Sequence, residues 1–156
     1  MPVYSFQTIQ NIPTSINKAW DFFSDPANLQ NITPPNTGFK IISKHHGDTM
    51  YAGQIIEYTV SPVLNIPLYW MTEITHVADK KYFIDEQRFG PYSLWHHQHH
   101  FKEINGGIEM KDIVHYKIPF GFIGSIANFV FVKKQLQNIF DYRFKKTEEL
   151  FGKWTG

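Results

Sequence analysis

Four side chains between residues 85 and 112 could do chemistry together: Asp85, His97, His99 and Asp112. Residues i and i+2 of a β-strand share one face, so His97 and His99 lie on the same side of a strand. Asp112 alternates with Met110 and Val114, which places its carboxylate on the apolar face. An isolated buried charge is strongly destabilising, so the carboxylate of an inward Asp112 has to be paired with another group, hydrated or engaged in binding or catalysis.

The turn Asn105-Gly106 has the signature of a two-residue type I′ hairpin. That turn pairs Ile104 with Gly107 and, counting back along the two strands, sets His99 opposite Asp112. The register of this hairpin therefore follows from the turn.

The preceding turn contains Gly90-Pro91-Tyr92-Ser93. A five-residue loop from Gly90 to Leu94 would set Asp85 opposite His99 and Gln87 opposite His97. Asp85, His99 and Asp112 would then form one row across three strands. The register is a hypothesis, because a slip by one residue would invert every face. The same inward face carries the apolar residues Phe83, Phe89, Trp95, Phe101, Val114 and Tyr116.

Three interpretations of this row stay open. It could be a hydrogen-bonded structural network that ties three strands together. It could be the polar anchor of a ligand cavity, where a few polar groups orient a mostly apolar guest. It could also imitate a two-His, carboxylate metal site, since His97 and His99 are spaced about 6.5–7 Å apart at Cα on a strand. An His-x-His pair without cysteine is a weak metal signal, so we expect neither a metal nor a cofactor.

The composition excludes several classes of protein. The chain has 156 residues, a formal net charge of +1 and no cysteine. It has no basic stripe, so we expect no nucleic-acid partner. Its uncharged apolar stretch from Ile118 to Val132 is too short for a transmembrane span, and MPVYSFQTIQ does not resemble a signal peptide. We therefore expect a cytoplasmic protein. Aromatic residues make up 17% of the chain, which suits either a tightly packed core or a cavity walled by rigid rings.

The remaining elements should position these residues. Tyr4–Gln10 reads as a first strand, followed by one short helix capped by Ser15 and a second capped by Asp25 before Pro26. A long helix from about Phe122 to Leu150 closes the chain. Six further strands are predicted between them, in antiparallel order: Phe39–Ser43, Gln54–Val60, Leu68–Val77, Tyr82–Phe89, Leu94–Ile104 and Ile108–Ile118. The expected architecture is α+β: a curved antiparallel sheet of about seven strands wrapped around the C-terminal helix, with room for a cavity between them.

This order of elements resembles the START and birch-pollen-allergen superfamily, often called SRPBCC, with its helix-grip fold. The motifs are similar to one bacterial branch labelled "cell division inhibitor" or polyketide-cyclase-like. Met71 departs from the branch, which often has an arginine after the residue matching Trp70. The matching segments are Asn28-Leu29, Thr33-Pro34-Pro35, Ile66-Pro67-Leu68 with Trp70, Phe83-x-Asp85-x-Gln87, Gly90-Pro91-Tyr92, Trp95-x-His97-x-His99-x-Phe101, Asp112-x-Val114-x-Tyr116, Pro119-Phe120-Gly121 and Ile139-Phe140-x-Tyr142-Arg143.

The resemblance covers nearly the whole chain and implies one domain over residues 1–156 with a cavity for a hydrophobic or amphipathic small molecule. The predicted partner is such a lipid-, polyketide- or aromatic-like ligand, and the predicted state is a monomer or weak homodimer. The predicted ligand-binding residues are Tyr58, Trp70, Phe83, Asp85, Gln87, Phe89, Trp95, His97, His99, Phe101, Asp112, Val114, Tyr116, Ile123 and Phe129.

Two alternatives stay open. An enzyme, such as a cyclase, dehydratase or hydrolase, could use an Asp–His pair in the same cavity for acid–base chemistry. Its candidate catalytic residues are His99, Asp85 and Asp112. An interaction module could instead use the apolar stretch after Phe120, and the His–Asp network would then be purely structural.

Overall fold

The computed structural model describes residues 2–44, 49–61, 66–119 and 131–156. Its strands are β1 (Tyr4–Ile12), β2 (Lys40–Ile41), β3 (Ile55–Val60), β4 (Leu68–Ala78), β5 (Tyr82–Phe89), β6 (Leu94–Ile104) and β7 (Gly107–Lys117). Its α-helices are α1 (Ile16–Phe23), α2 (Pro26–Leu29) and the C-terminal α3 (Lys133–Phe151), and two 3₁₀ turns follow α2 at Gln30–Ile32 and Pro35–Thr37.

The seven strands form one antiparallel sheet in the order β1-β7-β6-β5-β4-β3-β2. The first strand therefore lies beside the last, and the remaining strands form a meander. The predicted fold class is confirmed: a curved seven-stranded sheet, short helices after the first strand and a C-terminal helix.

Local signals start and stop the helices where the sequence predicts. The Ser15 hydroxyl accepts a hydrogen bond from the Lys18 amide at the start of α1. The Asp25 carboxylate accepts one from the Ala27 amide, with Pro26 in the first turn of α2. At the end of α3, Gly152 has φ 95° and donates its amide to the Glu148 carbonyl. The part of the predicted long helix before residue 131 lies outside the described residues.

The hairpin between β6 and β7 has the predicted register but a different turn. Ile104 pairs with Gly107, and His99 pairs with Asp112. Gly106 has φ 87°, while Asn105 is not among the residues with positive φ. A type I′ turn needs positive φ at both central positions, whereas a type II turn needs it only at the second. The type I′ prediction was therefore wrong. The predicted register is still correct, because type I′ and type II turns both have two central residues.

The register between β5 and β6 differs from the prediction by two residues. Asp85 lies opposite His97, and Phe83 lies opposite His99, with the last pair at Glu86 and His96. The physical reason is the side chain of Gln87, which donates to the Tyr92 carbonyl and accepts from the Tyr92 amide. Those bonds close a longer loop than the predicted one. A shift of two residues preserves the faces, so the predicted inward residues of the paired segment still point inward.

Two apolar clusters fix the sheet against the helices. One packs α1 against the middle of the sheet, and Trp20 meets the rings of Phe83 and Phe101 edge-on. The other packs α3 against β7, where Val114 and Tyr116 contact Leu136 and Phe140. The polar residues Asp85, His97, His99 and Asp112 lie on the same inward face of the sheet.

Candidate functional site: a His–Asp quartet at one end of a cavity

Two histidines and two aspartates form a closed cluster on the inward face of β5, β6 and β7; we call Asp85, His97, His99 and Asp112 the quartet. His99 Nε2 lies 2.8 Å from Asp85 Oδ2, and its Nδ1 lies 3.0 Å from Asp112 Oδ1. His97 Nε2 lies 2.8 Å from the same Asp112 oxygen. The other nitrogen of His97, Nδ1, is 3.6 Å from Asp85 Oδ2. One oxygen of Asp112 thus holds both rings.

These distances assign the protons. Both nitrogens of His99 lie within hydrogen-bond distance of a carboxylate oxygen, so with both carboxylates ionised the ring donates twice and is an imidazolium. His97 makes one short bond, through Nε2, which suits a neutral ring with its proton on that nitrogen. The centroids of the two rings are 3.7 Å apart, with the planes tilted by 37°, and two cations at that separation would repel each other.

Burial and partners shift the four pKa values in the directions that this assignment needs. Burial opposes the charge on His99, but its bonds to Asp112 and Asp85 outweigh burial and raise the pKa of His99. Burial and the charge of His99 lower the pKa of His97. Burial also opposes ionisation of both aspartates, but the hydrogen bonds and charges of the histidines hold the pKa of Asp112 and of Asp85 below its ordinary value.

Arg143 of α3 completes the charge balance. Its guanidinium Nη1 lies 3.9 Å from Asp112 Oδ1, and its side chain is 11% exposed. The side chain of Arg143 therefore reaches an inward carboxylate instead of lying on the surface. Two ionised aspartates, one imidazolium and one guanidinium sum to zero, so the buried cluster is neutral as a whole.

Three members of the quartet could also hold a metal ion. One ligand atom each from Asp85, His97 and His99 lies within 4.8 Å of the others. His99 and Asp85 are joined by a hydrogen bond, and a divalent ion that used these two atoms would have to displace its proton. The guanidinium of Arg143 adds a positive charge beside them. The arrangement therefore favours an ion-paired network over a metal site.

A cavity of about 340 Å³ lies between the sheet and the helices, and Asp85, His97 and His99 of the quartet form part of its wall. Most of the lining is apolar, and rings of Tyr58, Trp70, Tyr92 and Trp95 contact one another along one side. Asp85, His97 and His99 reach the cavity, with the hydroxyls of Tyr58 and Thr72 joined at 3.1 Å. The cavity is thus mostly apolar, with polar groups contributed by the sheet and by the helices.

The fold is shared with solved structures at low sequence identity. The sequence matches no protein-family model and no curated protein. TTHA0849 from Thermus thermophilus aligns with a TM-score of 0.68 at 13% identity over 94% of this chain and 95% of its own. Ara h 8.0201 aligns with a TM-score of 0.62 at 14% identity over 95% and 99%. A ginseng major latex-like protein from Panax ginseng aligns with a TM-score of 0.66 at 10% identity over 96% and 97%.

The chain has the helix-grip fold. The predicted resemblance to the START and birch-pollen-allergen superfamily is confirmed at the level of architecture. Among the residues that the structure describes, no helix is both long and apolar enough to cross a membrane.

The helix-grip architecture brings about half of the predicted binding residues to the cavity. The residues on its wall are Tyr58, Trp70, Phe83, Asp85, Trp95, His97 and His99. Phe83 also stacks on His99, with centroids 4.1 Å apart and planes 19° apart, so a ring face lies against the imidazolium. Ile123 and Phe129 lie outside the described residues.

Six predicted residues are placed elsewhere. Phe89 is 63% exposed, because the chain has left the β5–β6 ladder before it. Gln87 closes the loop to Tyr92 instead of facing the cavity. The other four are buried in packing or under the lining: Phe101 in the cluster with Trp20, Val114 and Tyr116 against α3, and Asp112 behind the histidines.

Sequence reasoning missed the residues that the helices bring to the cavity. They come from the segment around α1 and α2 and from α3: Phe22, Phe23, Leu29, Ile32, Phe39, Leu136, Ile139, Phe140 and Arg143. The signal was present, because apolar residues of both helical segments recur at helical spacing. That spacing predicts an inward face, but it does not separate residues that pack from residues that line a space.

Proposed function

We propose that this protein binds a small amphipathic molecule in the cavity between its sheet and α3. The observation that carries the proposal is that one cavity of about 340 Å³ has both apolar, ring-lined surface and polar side chains on its wall. A ring-lined apolar wall would bury the hydrophobic part of the guest, while the quartet side orients its polar end. Helix-grip neighbours such as Ara h 8.0201 share the architecture that makes room for this space.

The candidate catalytic residue His99 is better suited to orienting a ligand than to acid–base catalysis. A general base needs a free lone pair within reach of the substrate. Both nitrogens of His99 are engaged by carboxylates, and both aspartates accept from histidines. Proton transfer through His99 would require one of these buried bonds to break first. For His99, orientation of a ligand therefore agrees better with the network than acid–base catalysis does.

A cavity-filling variant tests the proposal. Ile139 of α3 lines the cavity, whereas its neighbour Asn138 is exposed and does not line it. Ile139→Trp adds an indole to the chamber, and Asn138→Trp adds the same group to the surface. We expect the fluorescent apolar probe N-phenyl-1-naphthylamine to bind wild type and Asn138→Trp saturably at one site. We expect at least tenfold weaker binding to Ile139→Trp.

Thermal unfolding and circular dichroism check that Ile139→Trp keeps its fold. Equal binding by all three folded proteins would place the probe outside the chamber and refute the proposal. The proposal also takes the protein to be cytoplasmic, with which its lack of cysteine is compatible, and to be a monomer or weak homodimer. Analytical ultracentrifugation measures the oligomeric state directly.

A further inference from the structure

One carboxylate of the quartet keeps accessible surface on the cavity wall. Asp85 of β5 lines the cavity, and 15% of its side chain is exposed, which is about twice the fraction of His97 or His99. The side chain of Asp112 is 6% exposed and does not line the cavity. Of the two aspartates, Asp85 is therefore the one that a bound molecule can reach.

The Asp85 carboxylate has spare capacity to accept hydrogen bonds. Its Oδ2 accepts from His99 Nε2 at 2.8 Å, and this is the one hydrogen bond to Asp85 among the residues that the structure describes. The two oxygens of a carboxylate offer about four lone-pair sites. Burial opposes its charge, but the hydrogen bond from His99 and the positive charges beside it hold the pKa of Asp85 below its ordinary value. The group is therefore an ionised acceptor at neutral pH.

The neighbouring ring of His97 cannot supply the missing donor. His97 donates through Nε2 to Asp112, so the Nδ1 atom of the neutral ring has a lone pair and no proton. Nδ1 lies 3.6 Å from Asp85 Oδ2, which is longer than a hydrogen bond. Two acceptors thus lie side by side at this point of the quartet, and a donor for Asp85 has to come from another group.

We propose that the ligand of this cavity is an uncharged molecule whose polar end carries a hydrogen-bond donor, such as an alcohol or phenol hydroxyl, which it donates to the carboxylate of Asp85. This assignment rests on the proposed function and names the class of molecule that the same cavity takes. Water hydrates an exposed carboxylate, and a ligand that covers it without donating a hydrogen bond removes that hydration without replacing it. A donor on the ligand avoids this loss.

The charge balance favours a neutral hydroxyl over an ammonium group or a carboxylate. The two ionised aspartates are already balanced by the imidazolium of His99 and the guanidinium of Arg143. An ammonium group beside Asp85 would leave one buried positive charge uncompensated. A carboxylate would bring a negative charge and further acceptors to a group that itself accepts. A hydroxyl donates to Asp85 and leaves the balance unchanged.

Four biphenyls that differ in one group separate these properties. They are 4-hydroxybiphenyl, which has a donor; 4-methylbiphenyl, which has neither donor nor acceptor; 4-methoxybiphenyl, which has an acceptor only; and 4-(aminomethyl)biphenyl, which is an ammonium ion at pH 7. Competition with bound N-phenyl-1-naphthylamine at pH 7 measures their affinities. We expect the phenol to bind about tenfold more tightly than the methyl and methoxy compounds, because it alone of the three donates to the carboxylate. The ammonium compound should bind more weakly than the phenol.

Asp85→Asn keeps the shape of the side chain and removes its charge, so the preference for the phenol over the methyl compound should fall to less than half of its wild-type value. Asp79→Asn makes the same change at a side chain that is 71% exposed and does not line the cavity, and should keep the preference. A crystal structure of wild type with 4-hydroxybiphenyl gives a second measurement should Asp85→Asn not fold. Its phenol oxygen should lie within hydrogen-bond distance of an Asp85 oxygen.

The outcomes separate this inference from the function on which it rests. The donor assignment is overturned, while a binding cavity remains, if wild type binds the methyl or methoxy compound as tightly as the phenol. An unchanged preference in folded Asp85→Asn, a phenol oxygen remote from Asp85 in the crystal, or failure of all four biphenyls to displace the probe has the same consequence. Binding of the ammonium compound as tight as that of the phenol overturns the uncharged class. Failure of N-phenyl-1-naphthylamine to bind wild type would contradict the proposed function itself, and this inference with it.

Discussion

Removing the charge of Asp112 should destabilise the protein more than any other single change in the quartet. One of its oxygens accepts from His97 Nε2 at 2.8 Å and from His99 Nδ1 at 3.0 Å, and Arg143 lies 3.9 Å away. In Asp112→Asn the imidazolium of His99 and the guanidinium of Arg143 are left facing Asp85 alone. The buried cluster then carries one excess positive charge.

The cost follows from breaking a buried ion pair by one partner, about 3–5 kcal/mol. His99 can limit the loss by releasing its proton, so we expect about 3 kcal/mol at pH 7. For a domain of this size, each kcal/mol lowers the melting temperature by about 2–4 °C, which gives a drop of about 6–12 °C. Urea unfolding followed by tryptophan fluorescence measures the free energy, and differential scanning calorimetry measures the melting temperature.

Glu109→Gln is the matched control, because it makes the same chemical change on the outward face of the same strand. It should alter the free energy of unfolding by less than about 0.5 kcal/mol. A loss below about 1 kcal/mol in Asp112→Asn would refute the argument. It would mean that the rings do not depend on that carboxylate for their charge.

Three further outcomes are expected. The free energy of unfolding should peak near pH 6.5. Below about pH 6.5, His97 is protonated in the unfolded chain but not in the folded one, because folding lowers its pKa, so stability falls as the pH is lowered. Above about pH 6.5, His99 keeps its proton in the folded chain but loses it in the unfolded one, because folding raises its pKa. The stability that this proton contributes is lost as the pH rises. Urea titrations from pH 5 to 9 measure this curve, and a stability that rises steadily to pH 9 would contradict it. Ser15→Ala should cost about 1 kcal/mol by removing the cap of α1, with Thr14→Ala as the neighbouring control, and equal losses would count against the cap. His99→Gln should remove one ¹⁵N NMR signal of a ring protonated at both nitrogens. The absence of any such signal from wild type at pH 6.5 would show that His99 is not an imidazolium.

Strand alternation made the inward faces predictable. It places Asp112 and the two histidines inside without knowledge of any neighbour, and the two-residue turn at Asn105-Gly106 fixes the pairing of His99 with Asp112. Those two signals are local, since each depends only on residues within one strand or one turn. They are enough to predict that the two histidines and Asp112 meet.

The register of β5 against β6 could not be predicted in the same way. It depends on Gln87, whose side chain hydrogen-bonds to the backbone of Tyr92 and does not line the cavity. The length of a loop that is held by a side chain cannot be read from the sequence. The charge partner Arg143 was unpredictable for a related reason. Its contact with Asp112 joins residues 31 positions apart through the packing of α3 on the sheet.

The cavity depends on packing that no local pattern specifies. Phe101 and Phe83 alternate on equivalent faces of neighbouring strands, yet Phe83 lines the space while Phe101 is buried against Trp20. Which inward residue packs and which lines a void is decided by where α1 and α3 come to rest on the sheet. Hydrophobic periodicity is the same in both cases.

A crystal structure grown with N-phenyl-1-naphthylamine would test the central claim most directly. We predict the probe between the sheet and α3, against the rings of Tyr58 and Trp70 that line the cavity. A chamber filled by rearranged side chains, with the probe absent or lying only on the surface of the molecule, would contradict the claim that this protein binds a small amphipathic molecule in its cavity.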